Sequence, residues 1–361
     1  MYDYLIVGCG LFGATFANQA KQKGKKSLII DSRNHVGGNC YTENAEGINV
    51  HKYGPHIFHT NNEEIWNYVN KFATFNNFVN RPKVNFKNKI YSFPINLFTM
   101  YQLWGVNSPT EAQIKLDQAK VKIENPKNLE EWILSQVGEE IYHTFIYGYT
   151  KKQWGTEPKE LDSFIIKRLP IRLNYNDNYY FDKYQGIPIG GYTKMIENMI
   201  EGIDVIPGEN YFERRDYWNN KAKNLVFTGK IDEFYDYKYG TLGYRSLRFE
   251  TERHAISDYQ GVAQMNFTSE SIPFTRIIEH KHFEFGNQDY TYITKEYPDA
   301  WDSSKTPYYP INNDKNSGIF NKYKKLNTYK NVIFGGRLAE YKYYDMHQII
   351  GSAINKSKDI D

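Results

Sequence analysis

Blocks of apolar and polar positions mark out most of the elements of this chain. Tyr4-Leu5-Ile6-Val7 is a short apolar, β-favouring run that suits a buried parallel strand. Residues 14–22 carry a helical pattern with Gly24 in a left-handed cap position, and residues 27–30 form a second apolar strand that Asp31 ends. Residues 40–50 predict a hairpin turning at Glu46-Gly47, 62–72 a helix, and 84–93 two short strands around Asn88-Lys89. Ser108-Pro109-Thr110-Glu111 reads as a helix start with proline at the first position and a capping box. Residues 128–147 predict one helix, in which Trp132, Ile133, Val137, Ile141 and Phe145 form an apolar stripe, all core except Phe145. From Leu225 the pattern turns to strands, at 225–229, 245–256, 262–267, 276–285 and 290–296, with antiparallel alternation and charged outer faces. A last buried strand at 331–334 ends in Gly335-Gly336, and Asp345 is placed to cap a helix running to Ala353.

The first strand and helix are joined by Gly8, Gly10 and Gly13, a G-x-G-x-x-G turn with Asp31 at the end of the next strand. The first glycine permits the tight turn, the second lets backbone approach a pyrophosphate, and the third lets helix pack on strand. The phosphates then meet the positive end of the helix, and the acid accepts from ribose hydroxyls. NAD and FAD both fit such a turn. The continuation Asp31-Ser32-Arg33-Asn34-His35-Val36-Gly37-Gly38-Asn39 resembles the second signature of FAD-containing oxidases, which favours FAD. His56 and His59, three apart after Gly54-Pro55, could share a face; without a clear third ligand they read as cofactor-lining rather than metal-binding.

The chain is long enough, at 361 residues, for more than one core. Its net charge of +3, with signs interspersed, argues against a nucleic-acid protein. Cys9 and Cys40 are expected to be reduced, no secretory signal precedes them, and a cytoplasmic protein is expected. No apolar run approaches the about 20 residues of a membrane span. The 32 tyrosines combine ring and hydroxyl in a way that suits a sugar or nucleotide site. The predicted fold is α/β: a Rossmann-like FAD-binding domain (1–80, 185–240 and 330–361), an inserted mainly helical domain (97–170), and an antiparallel sheet domain for substrate (81–96, 171–184 and 241–329).

Several further motifs are carried together. They include Tyr53-Gly54-Pro55-His56-Ile57-Phe58-His59-Thr60, Gly148-Tyr149-Thr150-Lys151-Lys152-Gln153-Trp154-Gly155 and Ile165-Ile166-Lys167-Arg168-Leu169-Pro170. Tyr184-Gln185-Gly186-Ile187-Pro188, Gly243-Tyr244-Arg245-Ser246-Leu247, Thr275-Arg276-Ile277-Ile278-Glu279-His280, Tyr308-Tyr309-Pro310 and Gly336-Arg337-Leu338-Ala339-Glu340-Tyr341-Lys342-Tyr343-Tyr344-Asp345-Met346 complete the set. End to end, the chain resembles the bacterial UDP-galactopyranose mutases. That resemblance implies an isomerase that interconverts UDP-galactopyranose and UDP-galactofuranose for cell-surface polysaccharide. It implies FAD, active when reduced, acting covalently through N5 without net redox, with an external reductant such as NAD(P)H. A homodimer is implied as well.

The resemblance also implies roles for residues. Arg168 and Arg276 match the pyrophosphate arginines and, with His59, are the expected catalytic side chains. Tyr179, Tyr309 and Tyr343 match tyrosines near the diphosphate; Asn80, Phe145, Tyr149, Thr150, Trp154 and Asn266 match uridine and cleft positions. Gly8, Gly10, Phe12, Gly13, Asp31, Ser32, Arg33, Gly38, Asn39, His56, Ile57, His59, Gly336, Arg337, Asp345 and Met346 match the FAD site, and Arg168 lies in a stretch that resembles a lid. A flavin amine oxidase or desaturase is the rival reading, since it shares the first two signatures and the Gly-Gly-Arg turn.

Overall fold

Strand Tyr2–Val7 lies at the centre of a five-stranded sheet in the order Val332–Phe334, Ala222–Phe227, Tyr2–Val7, Ser27–Asp31, Asp204–Pro207, every neighbour parallel. Leu5, Ile6, Ile29 and Ile30 are fully buried, as a parallel strand covered on both faces requires. Helix Leu11–Gln22 follows the first strand and buries Ala14, Phe16, Ala17 and Ala20. The computed structural model describes residues 1–162, 171–326 and 331–360. Two compact units result, the first made of Met1–Phe78, Asp182–Arg245 and Trp301–Asp361, the second of Val79–Phe181 and Ser246–Ala300.

The first unit also holds the hairpin Thr42–Ala45 and Ile48–His51, which turns at Glu46-Gly47 with both residues at positive φ, as expected there. Phe58–Thr60 pairs antiparallel with Tyr184–Gly186. Helix Met346–Lys356 starts at Asp345, whose carboxylate and Gln348 form a capping box.

In the second unit the strand order runs Tyr244–His254, Thr291–Ala300, Arg276–Glu279, Gln264–Phe267, Lys83–Phe86, Lys89–Ser92. Arg276–Glu279 is antiparallel to both its neighbours, whereas Gln264–Phe267 meets Lys83–Phe86 in parallel. Helices Leu97–Trp104, Pro109–Ala119 and Leu129–Ile141 pack their apolar faces, including Met100, Leu116 and Ile133, into one core with Val84 and Phe93.

Three expectations change. Residues 128–147 are not one straight helix: Gly138 sits at φ 76°, and the chain continues as a π-helical stretch, Tyr142–Tyr147, before Gly148–Trp154. A Cβ at Gly138 would lie 2.1 Å from the carbonyl oxygen of Ala119, so tertiary contact overrides the helical pattern. Ser108 does cap its helix, accepting from the Glu111 NH at 3.2 Å, but the Glu111 carboxylate takes the NH of Asn107, one residue before the position a capping box uses. The strand at 276–285 stops at Glu279 and gives way to the tight turn His280–Glu284, where Lys281 Nζ donates to the carbonyls of Ser257, Gln288 and Tyr290.

Glu279 is fully buried and accepts from the backbone NH groups of Tyr259 and Gln260, each at 2.9 Å. Burial raises its pKa, but His282, these NH groups and Thr291 outweigh burial and hold the carboxyl at about 2. Since the folded value is depressed, this stabilisation is present above the unfolded value and is lost as pH falls from about 4.3 towards the folded value. His282 is raised by Glu279, so its share is full below its ordinary value and fades as pH rises through the folded one. Glu279→Gln is expected to cost about 3 kcal/mol at neutral pH, and the gap should narrow as pH falls below ~4 and close near the folded value of about 2. Urea midpoints of the two proteins across pH check this; equal midpoints at neutral pH refute it.

Candidate active site

In the first unit the two glycine turns meet backbone to backbone. A Cβ at Gly38, which has φ 55°, would lie 2.9 Å from the Cα of Gly10, and one at Gly13 would lie 2.0 Å from the carbonyl oxygen of Gly8. Helix Leu11–Gln22 begins at Gly10 with neither a side-chain cap nor an acidic residue in its first turn, which leaves its positive end open to an anion. Asp31 closes the cradle, accepting from the NH of Cys9 at 2.7 Å and of Arg33 at 2.9 Å, with acceptor capacity to spare for a ribose. Arg33 donates to Asn39 Oδ1 at 2.9 Å and lies over the Tyr53 ring, with its Nη1 buried and without a hydrogen-bond partner. These residues fit a dinucleotide. Phe12 is buried against Gly335, Gly336 is buried, Ile57 is buried, and Ser32 is exposed.

His56 and His59 end up on different duties. His56 Nδ1 contacts the Gly54 carbonyl at 2.8 Å, while His59 Nδ1 meets Asp182 at 2.5 Å. Met346 Sδ lies 3.7 Å from Cys40 Sγ, and both cysteines are free and buried. Arg337 donates to the carbonyls of Tyr308 at 3.2 Å and Tyr344 at 2.7 Å, next in sequence to Tyr309 and Tyr343, whose rings stand 5.6 Å apart. Two of its nitrogens are thus committed to the protein, while Nε is buried without a hydrogen-bond partner.

In the second unit Arg276 and Asn266 are register partners on adjacent strands, and Arg276 Nη2 lies 2.8 Å from the carboxylate of Glu296 on the other side. Phe145 joins the core, 5.3 Å from the Tyr91 ring; Phe93 links it onward to Tyr179. Asn80 is buried and its carbonyl accepts from the Tyr179 NH at 2.8 Å. Tyr149, Thr150 and Trp154 share the helix Gly148–Trp154. Arg168 lies outside the described residues.

Lys152 is a residue the sequence singled out only as part of a motif. Its Nζ donates to the carbonyls of Phe267, Ser269, Ile272 and Phe274 at 2.8–3.0 Å, so one ammonium clamps the helix of Tyr149, Thr150 and Trp154 onto the hairpin of Asn266 and Arg276. Burial lowers its pKa to about 8, with Glu270 opposing. The contact spans 115 residues or more, beyond any local signal.

The profile described as UDP-galactopyranose mutase matches residues 144–343, and that described as NAD(P)-binding Rossmann-like domain matches residues 6–72. A dTDP-fucopyranose mutase of Escherichia coli is 44% identical, covering 98% of this chain and 97% of its own. A Klebsiella pneumoniae protein named "Probable UDP-galactopyranose mutase" is 41% identical over 99% of this chain and 94% of its own. The chain belongs to the UDP-galactopyranose mutase family. It is therefore an enzyme of the mutase kind, an isomerase, and the family together with the glycine cradle implies a flavin. The solved structure of a reduced UDP-galactopyranose mutase has TM-score 0.76 over 100% of this chain and 94% of that one at 13% identity, which establishes the shared fold. Putrescine oxidase, at TM-score 0.58 and 11% identity, shares fold alone, so the oxidase reading remains the rival only. No helix among the described residues is long and apolar enough to cross a membrane.

Proposed function

We propose that this mutase interconverts UDP-galactopyranose and UDP-galactofuranose with reduced FAD. The observation that carries the cofactor is the approach of Gly38 to Gly10 under an uncapped helix end. Bound reduced FAD supplies a nucleophilic nitrogen, N5, for the anomeric carbon. The chain's own residues bind and orient. Arg276 and Arg168 neutralise a diphosphate whose charge grows as the anomeric bond breaks. Tyr179, Tyr309 and Tyr343 donate hydroxyls to that diphosphate; Asn80, Tyr149, Thr150, Trp154 and Asn266 hold the uridine and line its cleft. His59 offers an imidazole nitrogen for proton movement at the sugar, and Arg33, Asn39 and the two glycine turns hold the cofactor.

A second reading is dTDP-fucose, favoured by the Escherichia coli relative at 44% identity. The two substrates differ by the base methyl, the ribose 2′-hydroxyl and the sugar 6-hydroxyl. Dithionite-reduced protein incubated separately with UDP-galactofuranose and dTDP-fucofuranose is expected to convert the first with the higher kcat/KM, read by chromatography of the nucleotide sugars. Preference for the second replaces the substrate assignment; turnover of neither, with flavin bound, removes it.

A further inference from the structure

Asp182 is the residue at which the chain re-enters the first unit, and nothing in its local sequence marks it as functional. Three residues later, Gln185 pairs with His59 across the Phe58–Thr60 and Tyr184–Gly186 strands. That register carries the Asp182 carboxylate to the His59 ring, Oδ2 meeting Nδ1 at 2.5 Å. The other oxygen is taken by Asn61 Nδ2, and Asn61 Oδ1 in turn accepts from the Lys183 NH at 2.8 Å. Both carboxylate oxygens are thus held from the protein side. The pair is mostly covered, with 11% of the His59 side chain and 21% of the Asp182 side chain exposed.

We infer that Asp182 is a positioning residue for the mutase reaction, fixing His59 with its proton on Nδ1 so that Nε2 is the unprotonated nitrogen. A carboxylate accepts only, so the nitrogen it touches carries the hydrogen, and a histidine's second nitrogen is set by what the first one binds. The rest of the surroundings agree. His347 stands edge-on to His59, ring centroids 5.3 Å apart, and its buried Nδ1 has no hydrogen-bond partner. One nitrogen of His59, one of His347 and a carboxylate oxygen of Asp345 lie within 4.8 Å of one another. Asp182, Asp345 and His347 are titratable groups beside this ring. Burial, then the neighbouring His59, lowers the pKa of His347, which keeps it a neutral neighbour. Two of the four sit on the capped start of helix Met346–Lys356, and His59 sits on a paired strand, so the group is mounted on regular elements rather than on a free loop.

This inference rests on the proposed role of His59, and the test separates the two. Oxidised holoenzyme labelled with 15N-histidine, with His59→Ala used to assign the ring, is expected to show His59 as a single Nδ1–H tautomer. Asp182→Asn should shift that signal to the other tautomer or a mixture, lower kcat by about 10–100-fold and leave KM and FAD content near wild type. Asp182→Glu should restore part of kcat. If His59→Ala lowers kcat but Asp182→Asn keeps the tautomer and the wild-type rate, the positioning inference falls and the His59 role stands. If Asp182→Asn loses activity only in proportion to lost FAD, Asp182 is a structural staple and the inference also falls. If His59→Ala turns over normally, both fall.

Discussion

Turnover is expected from the reduced protein and not from the oxidised one, a difference of several orders of magnitude. The reasoning is chemical: in the proposed reaction N5 is the nucleophile, and a flavin nitrogen is nucleophilic only after reduction. The close approach of Gly38 to Gly10 is independent of the redox state, so the cofactor is expected to bind in either state and binding and activity should separate cleanly. Purified protein should be yellow, inert as isolated, and active once dithionite has bleached it under argon. The same protein rebuilt with 5-deaza-FAD should hold its cofactor as well as wild type and yet show no turnover, because carbon replaces the reacting nitrogen. The oxidase rival makes the opposite forecast, consuming oxygen in step with product. Full activity in the oxidised state, or stoichiometric oxygen uptake, would end the mutase mechanism for this chain.

The part of the candidate site that the sequence made legible is the part built from local spacing. Gly8, Gly10, Gly13 and Asp31 lie within one strand–helix–strand unit, so the pattern that names them is also the local structure that brings them together. The hairpin turn at Glu46-Gly47 and the cap at Asp345 were legible for the same reason: the turn needs φ above zero and the cap needs a short acceptor. What escaped depends on contacts between distant segments. The break at Gly138 answers to Ala119, the Lys152 clamp reaches residues 267–274, and Asp182 reaches His59 across 123 positions. Phe145 shows the limit of reading a stripe: set aside from the core for a substrate role, it is 4% exposed and packs with Tyr91 and Phe93. Residue types at a spacing report one element's needs, whereas long-range pairing decides which elements meet.

Arg276→Ala is expected to lower kcat/KM by about 10–150-fold. A hydrogen bond to a charged group is worth ~1.5–3 kcal/mol, and each ~1.4 kcal/mol is a factor of ten. The geometry adds a second consequence that the sequence does not show. Arg276 faces Glu296 across the Arg276–Glu279 and Thr291–Ala300 pairing, with Nη2 2.8 Å from Oε2. The Glu296 side chain is 1% exposed against 18% for Arg276, and neither Glu296 oxygen has another hydrogen-bond partner. Removing the guanidinium leaves that carboxylate buried and unpaired, at a cost of about 3–5 kcal/mol, so the alanine variant should be less stable as well as slower. Arg276→Lys separates the two effects. It keeps a cation beside Glu296, so the thermal midpoint should stay near wild type, while the planar fork that grips a phosphate is lost and kcat/KM recovers only partly. Binding of UDP to the oxidised holoenzyme, measured by calorimetry, should weaken in both variants with FAD content unchanged. Arg168→Ala should show a kcat/KM loss of similar size. If both Arg276 variants bind UDP and turn over as wild type does, the pyrophosphate assignment is wrong. If they shed FAD instead, the arginine serves the cofactor and not the sugar nucleotide.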